Sequence, residues 1–275
     1  MKQATPEDGL FRVIDDHEDD DLTRVQPSRY AGGPWNPSHQ HGGAVAGLLT
    51  REMHRIEAPV PMRLSRITVE MFRGVPMTPL RVETRVLRAG RRIQSVEANL
   101  YDKETQVARA TGLRVRVDPD MAVLATREEP DPEMPSPPDG PVPRHRAPEG
   151  FEMPPGFTHA IDFLRGEPPK EGVPSSVWAR LRCRLVEDEE TSPIAMLATM
   201  ADFASGTGNA MNYMKFSSIN PDLTIHVIRE PRSEWIGVHG LTRRANDGIG
   251  QSTATLYDLE GPVATAHASL LLDRR

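Results

Sequence analysis

Two apolar segments with helical spacing stand out, one in each half of the chain. The first is HGGAVAGLLTREMHR (residues 41–55) and the second is SPIAMLATMADFASGTGNAM (residues 192–211). Four apolar residues of the first segment share one helix face: Val45, Leu48, Leu49 and Met53. We expect this helix to begin at the two glycines, Gly42 and Gly43, and to bury that face.

Each helical segment is followed by stretches in which apolar and polar residues alternate, as in a half-buried strand. The first half contains RLSRITVEMF, LRVETRVLRA and ARATGLRVRV, and the second half contains LTIHVI, WIGVHGLT and QSTATLYD. YDKETQ and YDLEGP are turn-like connections between the last two strands. The order predicts an α+β fold, in which an antiparallel sheet wraps one helix in each half.

An internal repeat relates the two halves. Residues 88–102 read RAGRRIQSVEANLYD and residues 244–258 read RANDGIGQSTATLYD, so that seven of fifteen positions are identical without a gap. The same offset of 156 residues aligns ITV (67–69) with LTI (223–225). A constant offset over more than forty residues indicates duplication of a structural unit.

Proline separates the two copies. Residues 119–174 contain 14 of the 26 prolines, and proline fixes φ and lacks an amide hydrogen, so it disfavours helix interiors and central strands. The sequence therefore predicts an N-terminal domain at 1–118, a proline-rich linker at 119–174 and a C-terminal domain at 175–275. We expect the linker to act as a plain tether.

Composition narrows the functional classes. The net charge is −6 and the pI about 5.9, which does not favour a nucleic-acid-binding protein. The one cysteine, Cys183, excludes an intrachain disulfide, and its strand-like setting favours a structural thiol. No segment reads as a signal peptide or membrane span, so a cytoplasmic location is expected. Glycine-rich nucleotide loops and the GxSxG elbow of serine hydrolases are also absent from the sequence.

The order of these segments resembles the double hot-dog proteins of the acyl-CoA thioesterase II type. The segments that carry the resemblance are HGGAVAGLL, MADFASG, NPDLTIHVIREPRSEWI and VATAHASLLLDRR. The similarity covers most of residues 8–118 and 175–275. The resemblance implies a tandem hot-dog fold, in which each half wraps an antiparallel sheet around a central helix. It also implies hydrolysis of an acyl-CoA thioester by an activated water, with no cofactor and no metal.

In that family the catalytic groups lie in the second hot-dog unit, as an Asp on the helix, a Thr at the start of the next strand and a Gln on the last strand. Asp202 matches the first position, and burying a carboxylate in such an apolar segment requires partners or a function. Asn220 replaces the Thr, and its amide can still hold a water. Thr224 lies on the same side at period two and is a candidate second water ligand, with strand geometry as the alternative explanation because Thr68 occupies the repeat-equivalent site. The Gln position is Ala268, which cannot bind a water.

Neighbouring histidines and glycines offer further candidates. His267 adjoins Ala268 but faces the binding site only if a bulge turns it inward. His41, Gly42 and Gly43 precede or open the first helix, where backbone amides can approach a substrate carbonyl closely. Two histidines at i, i+2, His39 and His41, are a weak metal signal and more often a surface or capping feature.

Three functions compete at this point. An acyl-CoA thioesterase is the leading hypothesis, and a non-catalytic protein that binds acyl-CoA or an acyl carrier is the alternative favoured by Ala268. A hot-dog dehydratase would require a histidine and a carboxylate in one site, whereas Glu52 and His54 on the first helix point to different faces. Duplication supplies a pseudo-dimer within the chain, and a homodimer or larger assembly of such pairs is a further expectation.

Overall fold

The computed structural model describes residues 3–17, 21–125, 156–165 and 168–275. Helix α1 spans Gly42–Arg55, and helix α2 spans Pro193–Ala201 and continues as one 3-10 turn at Asp202–Ser205. The strands of the described residues are β1 (Gly9–His17), β2 (Leu22–Pro27), β3 (Met62–Met71), β4 (Leu80–Arg88), β5 (Ile93–Asp102), β6 (Thr105–Arg116), β7 (Ile161–Arg165), β8 (Ser175–Leu181), β9 (Arg184–Val186), β10 (Phe216–Ile219), β11 (Asp222–Val227), β12 (Ile236–Arg244), β13 (Ile249–Asp258) and β14 (Gly261–Arg274).

The strands join in one continuous sheet, ordered β7-β8-β12-β13-β14-β11-β3-β6-β5-β4-β2-β1-β9, with β10 paired to β14. From the β11–β3 junction outwards, six strands of each half follow in corresponding order, and β9 of the second half pairs in parallel with β1 at the far edge of the first-half strands. The bounds of β12 and β13 lie 156 residues after those of β4 and β5. Each last hairpin also carries an irregularity at the same place, between Leu100 and Tyr101 and between Leu256 and Tyr257. The strand topology thus repeats in the two halves, in agreement with the duplication that the sequence indicates.

The two halves meet in the middle of the sheet at a pair of repeat-equivalent residues. Strands β3 and β11 are antiparallel, and Thr68 pairs with Thr224, whose hydroxyl oxygens lie 3.2 Å apart. The flanking pairs, Glu70 with Asp222 and Arg66 with His226, are arranged evenly about this point. Such a register is what a two-fold contact between identical units produces.

Helices α1 and α2 pack against each other without bulky side chains between them. A Cβ on Gly43 would lie 2.5 Å from the carbonyl oxygen of Thr199, and a Cβ on Gly47 would overlap the hydroxyl of the same residue. Arg51 near the end of α1 forms an ion pair with Glu189, which precedes α2, so the helices run antiparallel. Gly43, which was predicted to open α1, and Gly47 therefore allow close helix contact.

The predicted buried face of α1 is confirmed, because Val45, Leu48, Leu49 and Met53 have no exposed surface. The second predicted helix is shorter than its pattern indicated. It ends in the 3-10 turn at Ser205, before Gly206 and Gly208, and Gly208 has a φ of +69° that an α-helix does not accommodate. Among the described residues, no helix is long and apolar enough to span a membrane.

The range predicted as a linker contains ordered structure at its C-terminal end. Residues Phe157–His159 form a 3-10 turn, and β7 (Ile161–Arg165) pairs with β8 at the edge of the second-half strands. Proline density was averaged over the whole range, whereas FTHAIDFLR contains none and can supply ladder amides. Residues 126–155 and 166–167 of the predicted linker lie outside the described residues.

Candidate functional site

A cleft of about 1130 Å³ lies where the two halves meet. Its walls come from the loop before α1, from the 3-10 turn after α2 and from the segment that leads into β11. The side chains are mostly apolar or aromatic, and Asp202 is the one Asp or Glu side chain among the described lining residues. A largely apolar cleft with a few convergent polar groups is the usual form of a small-molecule site.

Asp202 is held by three groups from both halves. Its Oδ1 accepts a hydrogen bond from Nδ2 of Asn220 at 2.7 Å, and its Oδ2 lies 3.0 Å from Nδ1 of His41. Burial alone would raise the pKa of Asp202, but hydrogen bonds from His41, Asn220 and the Gly43 amide outweigh burial and lower it. The carboxyl group is therefore ionised at neutral pH, although its side chain is only 4% exposed.

His41 owes its position to the start of α1. It is the N-cap residue, and its Nδ1 lies 3.1 Å from the Gly43 amide nitrogen. A Cβ on Gly42 would lie 2.9 Å from Oδ1 of Asp202, so only glycine leaves space for the carboxylate beside the helix start. The first turn of α1 thus supplies backbone amides directly beside the His41–Asp202 pair.

Aromatic rings enclose the imidazole of His41. Phe157 stacks on it with ring centroids 4.3 Å apart, and Phe203 lies at 5.6 Å in a tilted orientation. Phe163 contacts Phe203 edge to face at 4.5 Å. Phe157 is 1% exposed and belongs to the hydrophobic core, and its amide donates a hydrogen bond to the carbonyl oxygen of Gly32. This cluster fixes the ring orientation of His41 and excludes water from one of its faces.

The predicted residues that come together are Asp202, Asn220, His41, Gly42 and Gly43. The first four line the cleft, and the Gly43 amide bonds within the same cluster. The 2.7 Å contact between Asp202 and Asn220 meets the geometric requirement for a shared site, which is hydrogen-bond reach.

Two other predicted residues lie away from the cleft. The hydroxyl of Thr224 bonds to Thr68 in the middle of the sheet, and Thr224 does not line the cleft. His267 is exposed on the outer side of β14, because the ladder with β13 runs regularly past Ser252 and Ala268 and no bulge turns His267 inward. Ala268 is buried beside Ser252, at the inward-facing position. We therefore retain neither Thr224 nor His267 as a site residue.

The other residues singled out in the sequence fall outside the Asp202 cluster. His39 lines the cleft and bridges to Pro76, whereas Cys183 is buried, and burial raises the pKa of its thiol to about 12. Glu52 is buried and accepts a hydrogen bond from Thr23, while His54 on the same helix is exposed. In the described part of the chain, no three His, Cys, Asp or Glu side chains converge as a metal site would require.

Sequence reasoning missed two features of the site. It named His41 as a substrate contact but not as the partner of Asp202, and it did not identify Phe157, which lies in the predicted linker. The cost of burying Asp202 was a signal that a donor had to come from elsewhere. A histidine directly before a glycine-opened helix was the nearest candidate, but the antiparallel packing of α1 and α2 had to be known to connect them.

Comparison with known proteins gives the family. The family model for the acyl-CoA thioesterase N-terminal domain matches residues 31–115. The model for the acyl-CoA thioesterase C-terminal domain matches residues 129–272. No curated protein sequence matches the chain.

Solved structures agree in fold at low sequence identity. The acyl-CoA thioesterase II TesB2 of Mycobacterium marinum is 15% identical with a TM-score of 0.68, covering 97% of this chain and 96% of that one. The tesB protein of Mycobacterium avium subsp. paratuberculosis is 14% identical with a TM-score of 0.68, covering 95% and 96%. A hot dog fold protein of Alicyclobacillus acidocaldarius is 14% identical with the same TM-score, covering 94% and 95%. With both domain models matched in order, the chain belongs to the acyl-CoA thioesterase family.

Proposed function

We propose that this protein hydrolyses acyl-CoA thioesters at the cleft between its halves, through a water activated by the His41–Asp202 pair. The observation that carries the proposal is the buried, ionised carboxylate of Asp202 in contact with His41 at the start of α1. Family membership supplies the reaction class, and the cleft supplies an apolar environment for an acyl chain.

The arrangement of protons follows from the contacts. Nδ1 of His41 faces an ionised carboxylate at 3.0 Å, so this nitrogen carries the proton and donates it to Oδ2 of Asp202. With the proton on Nδ1, this nitrogen no longer accepts the hydrogen bond from the Gly43 amide nitrogen at 3.1 Å, and the amide donates to the Asp202 carboxylate instead. In the neutral imidazole, Nε2 is left with a lone pair that can accept a proton. Asp202 acts as a positioning residue that fixes this tautomer and stabilises the imidazolium, as in other acid–histidine pairs.

The reaction needs no covalent enzyme intermediate. The water oxygen attacks the thioester carbonyl carbon while Nε2 of His41 takes one water proton. The carbonyl oxygen becomes an oxyanion, which the Gly42 amide at the N-terminus of α1 stabilises. The C–S bond then breaks, and the departing thiolate takes the proton from His41, leaving a carboxylic acid and free CoA. Asn220 holds Asp202 through its amide and replaces the Thr of the family pattern.

The test is release of free thiol from a panel of acyl-CoAs. We expect Asp202→Asn and His41→Gln each to lower kcat/KM by about 10²–10⁴-fold, the usual contribution of a general base. Asp258→Asn is the matched control, because Asp258 is another buried aspartate with a lowered pKa but lies outside the cleft. The folded Asp258→Asn variant should retain wild-type activity.

Three outcomes would overturn parts of the proposal. If wild type binds acyl-CoA but releases no thiol at any chain length, the protein is a binding protein of this fold. If His41→Gln keeps full activity and Asp202→Asn does not, Asp202 is itself the base. If neither substitution matters, the cluster is structural.

A second function deserves an assay because a specific contact favours it. A dehydratase needs a histidine and a carboxylate in one site, and His41 with Asp202 provides that pair, whereas Glu52 and His54 do not. Loss of the enoyl absorbance of a 2-enoyl-CoA, without release of thiol, would identify hydration and contradict hydrolysis.

We further propose that each half is one hot-dog unit and that β7 belongs to the second unit. This is supported by the strand order, because six first-half strands run outwards from the β3–β11 junction on one side and six second-half strands run outwards on the other. The chain would then be a complete pseudo-dimer, and a larger homo-oligomer would join such pairs. Sedimentation equilibrium measures the assembly, and activity that persists at the mass of one chain would make further association unnecessary for the site.

A further inference from the structure

The mouth of the cleft carries an aromatic platform with an arginine above it. Trp35 and Tyr213 come from different halves of the chain, and their ring centroids lie 5.9 Å apart. The guanidinium of Arg275 lies 5.3 Å from the centroid of Trp35 and donates a hydrogen bond to the carbonyl oxygen of Tyr213 at 3.1 Å. All three line the cleft, and Trp35 is 38% exposed.

Two arginine side chains line this mouth, although the whole chain carries −6. Within the described residues, no Asp or Glu side chain forms an ion pair with Arg73 or Arg275. The single lining Asp or Glu side chain, Asp202, is buried within the His41 cluster. Unneutralised arginines beside an anionic ligand's path attract and bind phosphate groups.

An exposed indole with an arginine over it has a specific use. Purine bases stack on aromatic rings whatever their hydrogen-bonding edge, and an arginine plane beside the ring adds stacking and charge. A ligand with one purine, several phosphates and an apolar end would therefore match both ends of this cleft. An acyl chain alone would leave the arginines unused.

We propose that Trp35, Tyr213, Arg275 and Arg73 form the subsite for the nucleotide end of CoA, with the adenine stacked on Trp35 and the phosphates beside the two arginines. This inference rests on the proposed function and specifies how its substrate is held. Trp35 and His41 are six residues apart, so their backbones lie at most about 20 Å from each other. The pantetheine arm would run between them along the cleft.

The subsite implies a preference for one form of thioester. CoA esters carry the nucleotide, whereas acyl groups on a carrier protein and acyl-N-acetylcysteamine esters do not. The platform would contribute to KM for CoA esters and would leave the chemistry at His41 unchanged, because it contacts a part of the substrate remote from the thioester.

The experiment compares one acyl group on two thiols. For Trp35→Leu we expect kcat/KM for the acyl-CoA to fall about tenfold, in the range of one lost base-stacking contact, while kcat/KM for the acyl-N-acetylcysteamine ester stays at the wild-type value. Arg275→Gln should behave in the same direction and should also reduce the discrimination between CoA and dephospho-CoA. Trp235→Leu is the matched control, since Arg180 lies 4.7 Å from the Trp235 ring in a similar pair outside the cleft.

The result that overturns the subsite is an equal loss on both thioesters, or no loss on either, in Trp35→Leu and Arg275→Gln. Failure of the proposed function is read separately, by calorimetric titration of CoA and of pantetheine, which requires no turnover. If wild type binds CoA more tightly than pantetheine and Trp35→Leu removes that difference, the subsite stands even in a protein that does not hydrolyse thioesters. Equal affinity of wild type for both ligands would refute it.

Discussion

The contact between α1 and α2 predicts a strong coupling between Gly47 and Thr199. A Cβ at position 47 would overlap Oγ1 of Thr199 and would lie 3.0 Å from Cδ1 of Leu185. The hydroxyl donates a hydrogen bond to the carbonyl oxygen of Ala195 at 2.8 Å, and rotating it away about χ1 would break this bond. The Leu185 contact is the end of a flexible side chain, so Thr199 is the main obstacle.

The magnitude follows from two opposing effects. Overpacking a well-filled core costs about 1–3 kcal/mol, and the severe overlap places Gly47→Ala at the upper end. Replacing glycine by alanine inside a helix returns about 1 kcal/mol. We therefore expect Gly47→Ala to lower the free energy of unfolding by about 2 kcal/mol, which corresponds to a fall in Tm of about 4–8 °C for a domain of 150–250 residues.

Truncating the obstacle should restore the stability. Thr199→Ala alone should cost about 1 kcal/mol, through a lost hydrogen bond and a small cavity. In the double variant the new Cβ would face Cβ of residue 199 at 3.3 Å, a tight but tolerable contact, and the helix gain remains. The double variant should therefore be more stable than Gly47→Ala, with a coupling energy of about 2 kcal/mol.

Urea and thermal unfolding of the four proteins measure this cycle. Gly206→Ala serves as control, since the nearest atom to its Cβ would be 3.9 Å away and its φ of −107° suits alanine. If Gly47→Ala were as stable as wild type, or if the two substitutions were simply additive, the close approach of α1 and α2 would not limit packing and the reasoning would fail.

Three further predictions concern the site and its supports. Folding lowers the pKa of Asp202, so its ionised form stabilises the protein at pH values above the unfolded pKa of about 3.9, and this stability is lost as the pH falls through the folded pKa. The difference in Tm between wild type and Asp202→Asn should therefore shrink below about pH 4. A constant difference would contradict this prediction. Arg114→Met should lower the free energy of unfolding in urea by about 2–4 kcal/mol, because the guanidinium caps carbonyls at the end of α1, including Ile56 at 2.7 Å; a neutral effect would show that water replaces it. Phe157→Leu should lower kcat several-fold through loss of about 0.5–1.5 kcal/mol of ring stacking on His41, with KM little changed; a change confined to KM would place Phe157 in substrate binding instead.

Much of the fold could be predicted from periodicity and the repeat, because both depend on local rules. Alternation located the strands, and the 156-residue offset anticipated that the bounds of β12 and β13 would follow those of β4 and β5. Periodicity could not predict every element, because some strands depend on tertiary contacts. β7 forms in a range whose average proline content argued against it, since a strand of five residues needs only a local stretch without proline.

The candidate site likewise contains residues that the sequence could identify and contacts that only the tertiary structure reveals. Asp202 and Asn220 lie 18 residues apart and could be placed by family resemblance, whereas the pairing of Asp202 with His41 joins residues 161 positions apart. Thr224 has suitable spacing along a strand, but the direction of its side chain is set by the pairing with Thr68. The register between β3 and β11 could not be predicted from the sequence of the second half alone, because it depends on a strand of the first half.

The two ends of the helix pair differ in the groups that hold their carboxylates. At one end, the start of α1 meets Asp202, whose carboxylate is held by His41, Asn220 and the Gly43 amide. At the other end, Glu52 of α1 is held by Arg51, which also binds Glu189. Burial would lower the pKa of Arg51, but its ion pairs with Glu189 and Glu52 outweigh burial and raise it, so the guanidinium stays charged.

These two ends show how a fused pair can differ where two identical chains cannot. In a symmetric dimer, both ends would carry the same carboxylate and the same helix start. Here Arg51 forms ion pairs with Glu52 and Glu189 at the second end, which stabilises the contact. His41 and Asp202 lie at the end that opens into the cleft. Fusion thus allows ion pairing at one end of the helices and, in the mechanism that we propose, a histidine base at the other.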